Sequence, residues 1–248
     1  EPNGEGEGYR STERATDSIP FGVEALDSAL PEGGLLQGAI HEVISEAPPH
    51  AITTILARNA LLNRSHNCKK LGCWIGEDSW PAAQFLRAVM GGTERRLPQK
   101  NLIEQCHFIS SLQHNKKSDQ DSIFWSALST LSAPGVAIVI AKIPNLSLQM
   151  SKRLALAAKR GNTLGILIRE PSSAQRQSVA QSRWFINPIR SPSSHPRYEL
   201  ELLKMKGPQP SRYTWQLELV NDYATISLSI PSKLVDRSCN LPTEGGRE

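Results

Sequence analysis

The chain has 248 residues, 39% of them hydrophobic, and a formal net charge of +4 at pH 7. That length predicts one domain with a sizeable core, and no apolar run approaches the roughly 18 residues of a membrane span. The acidic, glycine-rich start at residues 1–8 is unlike a secretory leader, so we expect a cytoplasmic protein. Its four cysteines (Cys68, Cys73, Cys106 and Cys239) are then expected to be reduced thiols.

Composition divides the chain into a domain and two tails. Residues 1–15 and 232–248 are poor in apolar residues, and we expect both to be disordered. Between them, residues 16–231 alternate helical and strand-like periodicity. The elements predicted for the first half are a helix at 23–30, a strand at 39–44, a helix at 51–63, a strand at 71–75, a helix after Pro81 that Ser79 caps, a strand at 106–109 and a helix at 119–131.

The second half changes character after two further apolar strands. Residues 136–141 and 163–168 are continuous apolar runs, which suit strands that are buried on both faces of a parallel sheet. A helix is predicted between them, at 147–160, with Leu154 and Ala158 among its inward residues and Gly161 as its stop. Successive antiparallel strands are predicted at 184–187, 198–204, 213–219 and 224–230. The fold class is therefore a layered α/β domain, with a mostly parallel central sheet that C-terminal antiparallel strands extend.

The segment after the first buried strand lies where such a fold places a phosphate-binding loop. A phosphate loop needs backbone N–H donors, glycines and a lysine, whereas Pro48 and Pro49 have no N–H. Glu46 adds a negative charge, and no lysine occurs between Ala47 and Asn67. The sequence therefore predicts a degenerate loop that has lost its nucleotide; it comprises Ser45, Pro48, Pro49, His50 and Ala51.

Two segments ahead of that strand resemble the RecA-like superfamily. They are Phe21-Gly-Val-Glu-Ala-Leu-Asp27 and Leu30-Pro-Glu-Gly-Gly-Leu35, which are similar to the Gly-x-x-x-Leu-Asp segment and Gly-Gly-Leu turn that precede the phosphate-loop strand in that superfamily. The resemblance covers about residues 16–230 and implies a RecA-like fold. We expect Asp27 to close the turn at 31–34.

Within the superfamily the chain is most similar to the ImuA family. The segments that carry this resemblance are Gly38-Ala-Ile-His-Glu-Val43, Leu154-Ala-Leu-Ala-Ala-Lys-Arg160 with the Leu-Ile-Arg strand after it, Ser182-Arg-Trp184, Arg197-Tyr-Glu-Leu-Glu-Leu-Leu-Lys204 and Trp215-Gln-Leu-Glu218. The resemblance implies a bacterial accessory protein of error-prone lesion bypass. Trp184 and Trp215, on alternating strands, are expected to be core or half-buried sheet residues, with stacking platforms as the alternative.

The resemblance also implies a second motif, an aspartate at the end of a buried strand that organises Mg²⁺. The matching strand here ends in Ala141-Lys142-Ile143, without a carboxylate. Because Ala141 is the degenerate metal-acid position and the phosphate loop is degenerate as well, we expect a pseudo-ATPase without catalytic residues, cofactor or metal. Glu77 and Asp78, near the position of the water-activating acid, are interpreted as helix-entry charges.

Contacts to other molecules are less clearly encoded. The connections at 143–145 and 170–176 are short, so RecA-style filament binding to DNA is not expected. Arg176, Arg183 and Arg190 form a candidate basic edge for nucleic acid, with an ordinary solvated face as the alternative. Phe21 is a candidate contact with a partner molecule, with a lid on its own core as the alternative.

Three functional hypotheses follow. The first is an ATP-independent scaffold in DNA-damage-induced (SOS) translesion synthesis and mutagenesis. As the resemblance implies, it would bind a Y-family-like polymerase homologue, and RecA or an error-prone replicative polymerase subunit are further candidate partners; self-association is also open. The second is a SulA-like cell-division inhibitor that binds a tubulin-like protein. The third is a RecA-like ATPase with an atypical phosphate loop.

Overall fold

The computed structural model describes residues 18–63, 71–91, 101–110, 116–192, 194–208, 210, 212–222 and 225–231. The predicted tails at 1–15 and 232–248, together with Cys68 and Cys239, lie outside the described residues. The helices of the described part are α1 (Glu24–Asp27), α2 (His50–Leu62), α3 (Ala83–Met90), α4 (Lys116–Leu131) and α5 (Leu148–Gly161). None of them combines the length and the apolar character that a bilayer-spanning helix requires.

A nine-stranded sheet forms the centre of the molecule. Its strands are β3 (Ile40–Ile44), β4 (Leu71–Ile75), β5 (Cys106–Ile109), β6 (Val136–Lys142), β7 (Leu164–Arg169), β8 (Ser182–Ile189), β9 (Arg197–Met205), β10 (Thr214–Asp222) and β11 (Thr225–Ser229). They lie in the order β11-β10-β9-β8-β3-β7-β6-β4-β5. A separate antiparallel pair, β1 (Ser18–Ile19) with β2 (Leu35–Leu36), precedes β3.

The strands from β3 to β8 run parallel, and β9, β10 and β11 extend the sheet in antiparallel fashion. The predicted α/β class and the antiparallel extension are thus confirmed. One detail of the prediction is wrong, because β8 does not belong wholly to the antiparallel group. It pairs parallel with β3 on one side and antiparallel with β9 on the other, and therefore joins the two halves of the sheet.

Helices cover both faces of the parallel part, which explains its apolar strands. Side chains of α2 and α3 pack on one face with Trp74, Trp184 and Trp215; those of α4 and α5 pack on the other. All six residues of β7 are buried, as expected for a strand between two helical layers. The core positions predicted for Trp184 and Trp215 are confirmed, since each is 1% exposed.

Two predicted capping roles are wrong. Ser79 does not cap α3, which begins only at Ala83; the extended Trp80 precedes Pro81, and a residue before proline disfavours the helical region. The Ser79 hydroxyl instead lies 2.7 Å from the carbonyl oxygen of Gly76. Asp27 does not close the turn at 31–34, because its carboxylate accepts hydrogen bonds from the N–H groups at 21–23.

Those same bonds fix Phe21, the candidate partner contact. Its N–H donates to Asp27 at 2.7 Å, and its ring packs edge-on against Trp184 with centroids 5.3 Å apart. Only 2% of Phe21 is exposed. The prediction of a partner contact is therefore wrong for this residue, which covers the core of its own chain.

Gly161 marks a close approach between the two helices on one face of the sheet. A Cβ at this position would lie 2.1 Å from the carbonyl oxygen of Leu131, the last residue of α4. Gly161→Ala is expected to lower the free energy of unfolding by about 2–3 kcal/mol, because backbone must move to admit the methyl group. The measurement is urea denaturation followed by circular dichroism.

Gly135→Ala is the matched control, since a Cβ there would meet nothing within 4 Å. Its free energy of unfolding is expected to stay within about 0.5 kcal/mol of the parent value. Equal stability of the two variants would contradict the close packing of α5 against α4.

Candidate functional site

A cleft of about 320 Å³ opens at the carboxyl ends of the parallel strands. In open parallel sheets this edge is where ligands bind. The cleft lies beside the ends of β3, β6 and β7, and its lining residues are Ser45, Glu46, Pro48, Lys142, Ile168, Arg169, Glu170, Pro171 and Ser172. The degenerate loop and the degenerate metal-acid strand predicted from the sequence therefore meet at one place.

Two backbone N–H groups and one hydroxyl of the loop after β3 are used within the protein. The Ser45 N–H donates to the carbonyl oxygen of Arg169 at 3.1 Å. The Ser45 hydroxyl lies 2.6 Å from the carbonyl oxygen of Ala47 and 2.7 Å from that of Ile186. The His50 N–H donates to the carbonyl oxygen of Pro48 at 2.8 Å. With two prolines between these donors, the loop does not present the row of free amides that a phosphate requires.

The polar side chains in the first turn of α2 likewise have partners or are buried within the protein. His50 begins the helix, and burial lowers its pKa, against the opposing effects of the Ser79 backbone and the Asp78 charge. Thr54 donates its hydroxyl to the carbonyl oxygen of His50 at 2.6 Å. Thr53 is fully buried, and its hydroxyl lies 3.3 Å from the carbonyl oxygens of Pro49 and His50. Both hydroxyls therefore contact backbone carbonyl groups of the first turn of α2.

The end of β6 carries a cation where a metal site needs an acid. Ala141 is fully buried in the core beneath α4 and α5. The Lys142 ammonium lies 2.9 Å from the carboxylate of Asp78, with 25% of the lysine side chain and 71% of the aspartate side chain exposed. Asp78 is thus engaged with a lysine in the folded protein. A divalent cation at this strand end would face a positive charge.

A buried ionic network lies beside the cleft, and sequence reasoning missed it. Glu42 of β3 is fully buried. One carboxylate oxygen accepts from Arg169 of β7 at 3.0 Å and from the hydroxyl of Ser178 at 2.7 Å. The other oxygen accepts from Nε of Arg183, on β8, at 2.9 Å. Burial lowers the pKa of Arg169, and the charge of Glu42 opposes that shift.

Arg183 extends this network into the connection between β7 and β8. Its Nη1 donates to the carbonyl oxygens of Ala174 (2.8 Å) and Arg176 (3.0 Å), and its Nη2 donates to that of Ser173 (2.8 Å). The predicted basic edge is therefore wrong at Arg183, which is 6% exposed and points into the protein. Arg176 and Arg190 are exposed as predicted.

His41 holds a second polar junction on the neighbouring position of β3. Its Nδ1 lies 2.7 Å from the Ser182 hydroxyl, and its Nε2 lies 3.0 Å from the carbonyl oxygen of Leu36. Since Ser182 also accepts from the Trp184 indole at 2.7 Å, its own proton is free to be donated to Nδ1. The arrangement fits a neutral imidazole with the proton on Nε2, and burial lowers the His41 pKa to about 4.

The network and this junction join three segments that carry the sequence resemblance. Residues 38–43, 167–169 and 182–184 belong to neighbouring strands, in the order β8-β3-β7. The available sequence clue was a charge within an apolar strand: Glu42 in Ile-His-Glu-Val-Ile and Arg169 after Leu-Gly-Ile-Leu-Ile. A charge in a strand that is buried on both faces requires a partner of opposite sign.

The two cysteines of the described residues are not activated as nucleophiles. Cys73 and Cys106 are free thiols, and burial raises the pKa of each to about 11. They are thus protonated at neutral pH and are poor nucleophiles. Within the described ranges, no three His, Cys, Asp or Glu side chains are grouped as metal ligands.

In comparisons with known proteins, no family model matched this chain and no curated protein matched it.

Glu42 is expected to contribute strongly to stability because it neutralises two buried guanidinium groups. Glu42→Ala should lower the free energy of unfolding by about 3–5 kcal/mol, since it leaves uncompensated buried charge. Urea denaturation measures the loss. Glu201→Ala, at an exposed position of β9, is the control and should change stability by less than about 0.5 kcal/mol. A loss below about 1 kcal/mol for Glu42→Ala would contradict the network.

His41 is expected to make stability depend on pH. Its pKa is about 4 in the folded protein and near 6.5 when unfolded. Below pH 6.5 this imidazole binds a proton in the unfolded chain but not in the folded chain. The free energy of unfolding therefore decreases as the pH falls, until the pH is near 4. The expected contribution is a loss of about 2 kcal/mol at pH 5 relative to pH 8.

The measurement is urea denaturation at several pH values, comparing parent and His41→Gln proteins. The difference in slope between them isolates the imidazole from titrating carboxylates. His107→Gln, at an exposed position of β5, should retain the parent slope. A parent slope in His41→Gln would show that another group is responsible.

Proposed function

We propose that this chain is a RecA-like accessory protein of bacterial, DNA-damage-induced translesion synthesis, which acts by binding proteins and does not bind or hydrolyse ATP. The RecA-like part rests on the segments at 21–27 and 30–35 and on the ImuA-like segments, three of which converge on neighbouring strands. A mostly parallel sheet with an antiparallel extension is the architecture that the resemblance implies, and this agreement supports the proposal.

The observation that carries the non-catalytic part is the state of the cleft. A triphosphate is held by backbone amides, a lysine and a metal ion. Here the loop donors of Ser45 and His50 are engaged with the protein's own carbonyl groups. Lys142 is paired with Asp78, and Glu46 and Glu170 add negative charge to the lining. Phosphates in this cleft would replace existing interactions and meet two carboxylates.

The proposed action is that of an adaptor in the cytoplasm. Its partner, by resemblance, is a Y-family-like polymerase homologue, and RecA and an error-prone replicative polymerase subunit are the further candidates. Direct binding of nucleic acid is not part of the proposal. Two residues of the predicted basic edge, Arg176 and Arg190, are exposed, whereas Arg183 forms a buried ion pair with Glu42.

The test combines nucleotide binding with induced mutagenesis. Calorimetry of the full chain with Mg-ATP is expected to show no binding up to about 1 mM. The reason is that the cleft lacks the hydrogen-bond donors that would offset the free-energy cost of removing water from the phosphates. Disruption of the gene should lower the frequency of DNA-damage-induced mutations. Lys142→Ala should restore that frequency as fully as the parent chain, because the adaptor uses no nucleotide.

Other outcomes would replace the proposal. Micromolar binding of Mg-ATP would favour an ATPase with an atypical loop. Unchanged mutagenesis, together with co-purification of the tubulin-like division protein, would favour a SulA-like inhibitor.

The parent chain and the purified polymerase homologue are expected to form a complex without nucleotide.

A further inference from the structure

Helix α5 presents a solvent-exposed leucine that the fold does not use. Leu156 is 69% exposed, the highest value among the large hydrophobic side chains of the described residues. The inward face of the same helix is supplied by Leu154, Ala157 and Ala158, which are buried as the sequence predicted. Packing of α5 against the sheet therefore gives no reason for a leucine at position 156.

Four cations surround this leucine. Lys152 and Arg153 precede it by four and three residues, and Lys159 and Arg160 follow it by three and four. Residues at these separations are neighbours on a helix surface. All four are exposed, and α5 contains no aspartate or glutamate. In the described part of the chain, none of the four is among the salt-bridged cations.

Helix stability explains only half of this pattern. Lys159 and Arg160 lie in the last turn of α5, where cations interact favourably with the helix dipole. Lys152 and Arg153 lie nearer the middle of the helix, where that effect is absent. Arg153 lies over the rings of Phe124 and Trp125 and so contributes to the packing of α5 on α4; the charge of Lys152 and the exposed Leu156 require another explanation.

An exposed tryptophan of α4 enlarges the apolar part of the same surface. The Arg153 guanidinium lies 4.6 Å from the centroid of the Trp125 ring, and 52% of Trp125 is exposed. Asp121 lies one helical turn before Trp125, towards the start of α4. Tryptophan and arginine are the residues most often found at energetic centres of protein interfaces. We call the surface that these side chains form the α5 basic face; it comprises Trp125, Lys152, Arg153, Leu156, Lys159 and Arg160.

We propose that the α5 basic face is a docking surface for an acidic protein segment that carries an apolar anchor. An apolar centre with a rim of one charge sign is complementary to an aliphatic or aromatic side chain flanked by carboxylates. Single-stranded nucleic acid fits less well. It requires a row of open aromatic faces, whereas Arg153 covers one face of Trp125 and the centre of the rim is a leucine.

The first experiment does not rest on the proposed function. Its probe is a labelled helical peptide of 24 residues with a leucine at its centre. Roughly three helical turns lie on each side of this leucine, and glutamates stand three and four residues before it and after it. Fluorescence anisotropy at low salt is expected to show binding to the full chain. Affinity should fall with added salt, because the contributing charges are exposed.

Two variants of the full chain test the face. Leu156→Asp and the double variant Lys152→Glu/Lys159→Glu should each raise the dissociation constant about tenfold or more. The control Arg190→Glu/Lys204→Glu carries the same change in net charge at exposed positions elsewhere and should bind like the parent chain. Because all these side chains are exposed, the urea midpoints of the variants should stay close to the parent value, with a small decrease for the variant that places a glutamate in the last turn of α5.

The second experiment rests on the proposed function. Leu156→Asp should weaken binding of the polymerase homologue about tenfold. Parent-level binding by Leu156→Asp would overturn the docking surface for this partner but leave the adaptor function intact. A parent chain that does not bind the polymerase homologue would count against the proposed function, whereas the peptide result would stand.

The peptide experiment can also overturn the inference directly. Absence of peptide binding, or equal binding by the parent and Lys152→Glu/Lys159→Glu chains, would do so. A 20-nucleotide dT oligonucleotide serves as the competing probe. If it binds more tightly than the peptide, and Leu156→Asp and Lys152→Glu/Lys159→Glu lose that binding, the face recognises nucleic acid instead.

Discussion

The centre of this fold depends on one buried carboxylate. Glu42 sits on β3, which lies between β8 and β7, and it binds an arginine from the strand on each side. Removing such a pair from water is costly unless the remaining hydrogen-bonding groups are satisfied. Arg183 meets that condition through the carbonyl oxygens of 173, 174 and 176. The network therefore links three neighbouring strands and holds the chain between β7 and β8 against them.

That path shapes the cleft at the strand ends. The carbonyl oxygen of Arg169 accepts from the N–H of Ser45, so the strand that supplies one arginine of the network also holds the loop after β3. Pro48 and Pro49 then lead directly into α2. Several polar groups near the cleft are thus bonded within the protein, although Nδ1 of His50 and Nε of Arg169 are buried without a hydrogen-bond partner among the described residues. This arrangement is the physical basis for proposing an adaptor rather than an enzyme.

The two layers of helices differ in what they offer to solvent. On one face of the sheet, Phe21 and the fully buried Trp74, Trp184 and Trp215 close a core that includes α2 and α3. On the other face, the inward side chains of α5 are Leu154 and small residues. Leu156 is exposed to solvent on the outer side of the helix, among cations. An adaptor needs such a surface, because apolar area exposed at the centre of a charged rim is released from water only when a partner covers it.

The sequence by itself determined the element pattern. Periodicity placed the parallel strands, α5 with its inward residues, and the antiparallel extension, because these features depend on spacings of a few residues. The sequence also shows that Pro48 and Pro49, after β3, offer no amide donor. Capping was less predictable, because Asp27 and Ser79 each had several backbone groups within reach, and for Ser79 the proline at 81 delayed the start of α3.

Only the tertiary structure decided which charges are buried. Arg169 and Arg183 lie 127 and 141 residues from Glu42, so no local spacing joins them. Arg183 and Arg190 appear equivalent along the chain, yet one completes the network and the other remains in solvent. The difference arises because pairing of β8 with β3 brings Arg183 opposite Glu42. Strand order is a global property, and the burial of a charge follows from it.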